Sequence, residues 1–213
     1  MRRIATAVTA TALLALGGCA SLSKSQCLAD DWETVGYRDG ANGMSSSALM
    51  RHQNACVKHG VTPDREAYLR GWHDGVEQYC QPVNGFAVGE AGGGFSNVCP
   101  PRLQQAFHAA WQDGRRLYQA RSELNALYRA IEQREAHLRE VKAELAGISG
   151  RLLEPEATVA DRAALLVTAK DLAEEQGRLA SEIEELHAEA AAQEARLEQL
   201  EQTLAYAGIA SHP

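Results

Sequence analysis

Two series of leucines at heptad spacing constrain this chain more than any other feature. In the first, Leu103, Leu117, Leu124, Ile131, Leu138, Leu145 and Leu152 share one row with Ala110 filling the gap, and Leu127, Val141 and Ile148 stand three residues beyond members of it. In the second, Leu165, Leu172, Leu179, Leu186 and Leu200 form a row, with Ile183, Leu197 and Leu204 in the row four later. A seven-residue apolar repeat sustained this long is a coiled-coil pattern, because those positions fall on one seam of a helix. Arg134 and Gln193 each interrupt a row. Between the series lie Gly150, the Glu154-Pro155 pair and Thr158, and proline ends a helix because it lacks a backbone donor and clashes with the preceding turn.

The rows therefore predict a long helix over 102–152, a turn over 153–158, a second long helix over 159–205 and a tail, 206–213. So short a turn favours an antiparallel hairpin; two parallel chains pairing as a dimer is the competing arrangement. Placing Leu152 opposite residue 158 sets Leu117 against Gln193, Ala110 against Leu200 and Ala106 against Leu204. The arm would then project roughly 50 to 60 Å, at 1.5 Å per residue. From Leu117 to Ala205 the chain has eighteen Asp and Glu against ten Lys and Arg, while the whole chain carries a formal net charge of −7. All the excess acid thus sits on the arm, and the rest of the chain is close to neutral. Phosphate recognition needs the opposite sign, so nucleic acid is excluded as a partner.

The N-terminus reads as an export signal: Met1-Arg2-Arg3, a mostly apolar run from Ile4 to Leu16, then Leu16-Gly17-Gly18-Cys19. The apolar run is too short to span a bilayer. Leu16, the two small residues and Cys19 resemble the lipobox of bacterial lipoproteins, in which the cysteine is acylated and becomes the new N-terminus. That resemblance implies a signal peptide over 1–18 and a lipidated tether over 19–26. Ala20 in place of Asp after the cysteine implies the outer membrane. Two or more acyl chains would anchor the protein stably, at about 0.8 kcal/mol per buried methylene, where one chain is marginal. The tether reaches at most about 25 Å.

Setting Cys19 aside leaves Cys27, Cys56, Cys80 and Cys99, an even set for a compartment that oxidises thiols. Four cysteines allow three connectivities. Helices are expected over about 29–42, 45–59 and 64–80, with Thr62-Pro63-Asp64 and Pro100-Pro101 as helix starts. Cys27 and Cys56 would then meet across an antiparallel hairpin, and a Cys80–Cys99 bond would close the segment from Pro82 to Val98. The stretch from Gly85 to Gly94, with its triple glycine, reads as a loop. A disulfide-stapled helical domain over 27–118 results, and the fold class is mainly α, this small domain being followed by the coiled-coil hairpin.

Within that domain one motif recurs. Tyr68 to Tyr79 matches Phe107 to Tyr118 in aromatic, small residue, Trp, Asp-Gly and aromatic, and Glu33 to Met44 carries the same Gly-aromatic-x-Asp-Gly core. On helices, Gly36 and Gly40, Gly71 and Gly75, and Ala110 and Gly114 each share a face, where small side chains let another backbone approach. The aromatic beside each pair, Tyr37, Trp72 or Trp111, covers the adjoining edge. The alternative is a shared binding site in which Asp39, Asp74 and Asp113 supply oxygen ligands to a divalent cation or a sugar; each Asp could equally hydrogen-bond its local backbone. His52, His59, His73 and His108 lack zinc spacing, since a disulfide cysteine offers no thiolate and no HExxH pair is present. No serine stands in a Gly-x-Ser-x-Gly context, and Gly92-Gly93-Gly94 lacks the Lys-Ser/Thr of a phosphate loop.

Cys27, Trp32, Gly36-Tyr37-Arg38-Asp39-Gly40, His52, Cys56, Pro63-Asp64, Tyr68, Gly71-Trp72, Gly75, Tyr79-Cys80, Asn84-Gly85, Gly89, Cys99-Pro100 and Gly114-Arg115 resemble a family of small bacterial lipoproteins that is a domain of unknown function. The resemblance covers about residues 19–118 and leaves the coiled coil outside. It implies a periplasmic, outer-membrane location and no particular activity. The expectation is a non-enzymatic, cofactor-free lipoprotein on the periplasmic face of the outer membrane, presenting its coiled coil to an envelope protein. The alternative is a lipoprotein that binds cell wall or a small ligand with the segment Gly85 to Val98 and Tyr37, Trp72 and Trp111.

Overall fold

A computed structural model of the chain describes residues 22–29 and 31–206. The expected signal peptide, the acylated Cys19 and the start of the tether lie outside the described residues. Among the described residues seven α-helices follow one another: α1 (Lys24–Ala29), α2 (Trp32–Ala41), α3 (Ala48–Cys56), which runs on into a 3-10 turn over Val57–His59, α4 (Arg65–Tyr79), α5 (Pro82–Glu90), α6 (Pro101–Leu152) and α7 (Val159–Tyr206). Among the described residues there is no strand. The chain divides into two compact units, the first ending at Gln78 and the second beginning at Tyr79. That boundary falls inside the 27–118 stretch read above as one domain, and it gives each unit one disulfide. Cys27 bonds Cys56 in the first, with Cα atoms 5.4 Å apart. Cys80 bonds Cys99 in the second, at 5.6 Å. These are the pairs the helix ends suggested.

Local chemistry sets the helix starts. Asp31 caps α2 by accepting from the Glu33 amide at 3.2 Å, and Asp64 accepts from the Ala67 amide at 3.0 Å, each satisfying a donor that the first turn leaves unpaired. At α7 the exchange is reciprocal: Thr158 Oγ1 accepts from the Asp161 amide and Asp161 accepts from the Thr158 amide, both at 3.1 Å. Pro82 and Pro101 occupy the first turns of α5 and α6, where a missing amide costs nothing.

One sequence expectation fails here. The stretch from Gly85 to Gly94 is not a loop throughout, because α5 carries it in helical form to Glu90. Two glycines in nine residues argue against a helix on propensity alone. Burial of Gly85 and Gly89 against α6 offsets that cost.

In the second unit α6 and α7 lie antiparallel, joined by Arg121–Glu201 (2.9 Å), Arg134–Glu182 (2.8 Å) and His137–Glu175 (3.3 Å). The seam buries Ile131, Val141 and Ile148 of α6 and Leu165, Leu179 and Ala190 of α7. The register differs from the sequence estimate. Gln193 donates to the Ala120 carbonyl at 3.3 Å, three residues beyond Leu117, and Ile148 lines a groove with Leu165 rather than with Arg162. Leu204 clusters with Phe86, Ala110 and Leu117, not with the exposed Ala106. A slide of three residues is close to one helical turn, so the same rows still face each other. The end of α7 nonetheless returns to the start of α6, as the arithmetic required.

Gln193 is the one buried polar side chain of that seam among the described residues, bonded to Ala120 and, at 3.0 Å, to Glu123 Oε2. A polar residue at a seam position fixes register at a cost in stability. Gln193→Leu is therefore expected to raise the melting temperature of the second unit while permitting other pairings. Light scattering on a size-exclusion column would show the added species, and a lower melting temperature would contradict the reading.

Candidate functional site

The repeated glycines prove to be the places where helix backbones meet. In the first unit α2 packs on α4 through Gly36 and Gly40 on one side and Gly71 and Gly75 on the other. A Cβ at Gly71 would lie 1.8 Å from the Glu33 carbonyl oxygen, and one at Gly36 would lie 1.9 Å from that of Tyr68. In the second unit α5 packs on α6 in the same way, through Gly85 and Gly89 against Ala110 and Gly114; a Cβ at Gly89 would lie 2.2 Å from the Trp111 carbonyl oxygen. The fourth member of the set, Gly85-Phe86-Ala87-Val88-Gly89, carries no Asp and so lacks the aromatic-x-Asp-Gly core of the other three.

The correspondence extends past the glycines. After α2 the chain turns at Gly43, with φ of 68°, and after α5 at Gly92, with φ of 78°; both values lie in the left-handed region that side chains disfavour. Trp72 Nε1 donates to the Met44 carbonyl at 2.7 Å. Trp111 Nε1 donates to the Gly93 carbonyl at 3.0 Å. Met44 and Gly93 each stand four residues after the second glycine of their helix. The chain thus contains one structural unit twice: a glycine-faced helix, a glycine turn, a second small-faced helix whose tryptophan holds that turn, and a disulfide.

Where the copies differ is the candidate site. In the first unit Asp39 is buried, and its Oδ2 accepts from the Tyr68 hydroxyl at 2.6 Å and lies 2.8 Å from His52 Nε2. An ionised carboxylate only accepts, so Nε2 of His52 carries a proton in this arrangement. Burial opposes the charged carboxylate, but the hydrogen bonds from His52 and Tyr68, with the positive charge of His52 and Arg51, outweigh it and hold Asp39 below the ordinary carboxyl value of 3.8. Burial, and then the bond to Asp39, push the Tyr68 phenol far above its usual range. Three helices, α2, α3 and α4, supply one residue each, and His52 and Tyr68 are themselves buried. The cluster is a satisfied polar network in an apolar setting.

The other sequence candidates fall elsewhere. Asp74 is exposed on α4, and Asp113 in the second unit pairs with Arg116 one turn on. Among the described residues no group of three or more His, Cys, Asp and Glu could hold a metal ion. Tyr37 is 45% exposed, and Trp72 is half-buried with its indole N–H engaged as above. Trp111 stands in a row along α6. His108 stacks on it with ring centroids 5.9 Å apart, Phe95 meets it edge-on at 5.4 Å, and Arg115 lies over both Trp111 and Tyr118. Arg115 also donates to the Gly92 carbonyl at 3.0 Å, and Gln104 to Asn97 at 2.9 Å. A Cβ at Gly92 would sit 2.7 Å from the Tyr118 ring. Gly92 and Gly93 are thus tied to α6 by Arg115 and Trp111, while a Cβ at Gly94 would meet open space. In the sequence Tyr68 stands out as an aromatic of the motif, His52 as a zinc or catalytic candidate, and both as residues of the family resemblance; the signal that joins them to Asp39 is the difference between the two copies.

Residues 31–116 match the family described as Protein of unknown function (DUF2799). The match begins at the Asp31 cap of α2 and ends two residues beyond Gly114, so it spans both glycine-faced pairs and leaves out the greater part of the coiled coil. No curated protein and no solved structure matches the chain.

Proposed function

We propose that this protein is a lipoprotein anchored through Cys19 to the periplasmic face of the outer membrane, acting as a non-enzymatic interaction or scaffold protein of the cell envelope. The observation that carries the reading is apolar surface left open at the turn of the α6–α7 coil. Leu153, Val159, Leu166 and Val167 are 84, 87, 59 and 61% exposed, while Leu165 beside them is buried in the seam. The first turns of α7 thus have apolar residues on two faces, and only one is used within the chain; open apolar patches of this kind mark interaction sites. Two disulfides fit an oxidising compartment. Asp39, His52 and Tyr68 bond one another in the interior, which favours a structural over a catalytic role. The alternative, binding of cell wall or a small ligand, would need Trp72 and Trp111, whose N–H groups hold turns of their own units.

A photocrosslinking residue at position 166 of the full-length protein is expected to give a discrete protein adduct in intact envelopes, whereas one at Met50 in the first unit should not. Glycan-containing adducts from position 111, with none from 166, would favour the ligand reading. The anchor is tested separately: Cys19→Ser should abolish incorporation of a palmitate analogue and release the protein from the outer-membrane fraction. Equal labelling of both proteins would rule out the anchor.

A further inference from the structure

The duplicated unit contains its own control for the Asp39 cluster. Val88 precedes Gly89 as Asp39 precedes Gly40; Phe95 stands four residues before Cys99 as His52 does before Cys56; Phe107 stands three before Ala110 as Tyr68 does before Gly71. The rings correspond in space as well. His52 and Tyr68 have centroids 6.1 Å apart, Phe95 and Phe107 6.0 Å. The same helix pair, turn and disulfide therefore close over two packed aromatic rings, with the half-buried Val88 in the place of Asp39, in one unit and over a hydrogen-bonded polar trio in the other. Packing does not require the polar version. Replacing a buried ionic cluster with well-packed apolar side chains is often neutral or stabilising, so what distinguishes the first unit is a buried carboxyl that can take up a proton.

Around Asp39 the facing groups are His52 and Arg51 from α3 and Tyr68 from α4. The carboxylate accepts from both α3 and α4 and so ties them to α2. Once protonated, it offers the two donors that share Oδ2 only a weaker, uncharged acceptor. We propose that Asp39, His52 and Tyr68 form an acid-released latch that holds the first helix pair closed at neutral pH and loosens it in acid, while the second pair, closed by Val88, Phe95 and Phe107, stays shut. The sign follows from the carboxyl being more acidic folded than unfolded. The latch contributes fully above the ordinary Asp value of 3.8 and is lost as pH falls through the lower folded value.

Hydrogen exchange of the full-length protein, corrected for the intrinsic pH dependence of exchange, tests this. Between pH 6 and pH 3, opening of residues 32–79 should rise several-fold, to at most about sevenfold because pH 3 lies less than one unit below the ordinary value of 3.8, beyond any rise in a variant carrying Asp39→Val, His52→Phe and Tyr68→Phe together. Residues 82–116 should show no such difference. Asp39→Asn, which does not titrate but still accepts from Tyr68, serves if the triple variant does not fold, and it too should lack the excess acid response. Equal acid sensitivity in wild type and either variant would overturn the proposal, because other carboxylates of the unit would then account for it. So would unchanged protection of residues 32–79 at pH 3.

Discussion

Gly71→Ala is expected to destabilise the first unit by about 3 kcal/mol, at the upper end of the usual cost of overpacking. The added methyl would meet the Glu33 carbonyl oxygen at 1.8 Å, with Glu33 C and the Tyr37 amide nitrogen also within 2.9 Å. Backbone cannot rotate away as a side chain can, so α2 and α4 would have to separate, and the close approach is shared by Gly36, Gly40 and Gly75 along the same line. Gly75→Leu should be at least as damaging. Asp74→Asn, on the exposed side of α4, should stay within about 0.5 kcal/mol of wild type. A second comparison separates packing from helix propensity. Ala110 is the counterpart of Gly71, and there the second unit already accommodates a methyl; Ala110→Gly should cost only about 1 kcal/mol, the ordinary penalty of glycine in a helix. Urea titration followed by tryptophan fluorescence, with Trp32 and Trp72 reporting the first unit and Trp111 the second, reads both. An unshifted transition for Gly71→Ala would mean that the helices are not in contact there.

The coiled coil was legible in the sequence because its rule is periodic: Leu124 or Leu179 needs no knowledge of its partner to be placed on a seam. The cysteine pairs were legible because each lay near a helix end that turn residues had already marked. Register was less so, since a slide of nearly one helical turn keeps Ile148 and Leu165 on the seam and changes only which residues meet. Helix α5 was misread because propensity is local and its offset is not. Gly85 and Gly89 look like flexibility until Phe107 and Trp111 of α6 are known to lie against them. At the candidate site the Asp-Gly motif drew Asp39, Asp74 and Asp113 together by sequence likeness, whereas burial treats them differently. What makes Asp39 special lies 13 and 29 residues away in the chain, at His52 and Tyr68. A pattern confined to one helix carries no trace of them.

Removing the carboxylate alone should be far worse than exchanging the whole cluster. Asp39→Ala is expected to cost about 3 to 5 kcal/mol at pH 7, because it strands the Tyr68 hydroxyl and the His52 ring N–H in a buried site and opens a cavity beside them. His52 and Tyr68 share the one oxygen Oδ2, so Asp39→Asn keeps an acceptor for both and loses only the charge, and its cost should fall to about 1 to 3 kcal/mol. Tyr68→Phe leaves Asp39 its bond to His52 and should cost about 1.5 to 3 kcal/mol, the range for a hydrogen bond to a charged group. The diagnostic quantity is the coupling. If the three residues act as one network, Asp39→Ala made in a Tyr68→Phe background should cost less than in wild type by about 0.5 to 3 kcal/mol, since one stranded donor is already gone. Calorimetric melts or urea titrations of the four proteins in the cycle supply the number. Simple additivity would show that the contact between Tyr68 and Asp39 contributes nothing beyond packing. The cluster would then be three independent polar residues that happen to be buried together, and its replacement by Val88, Phe95 and Phe107 in the second unit would carry no information about the first.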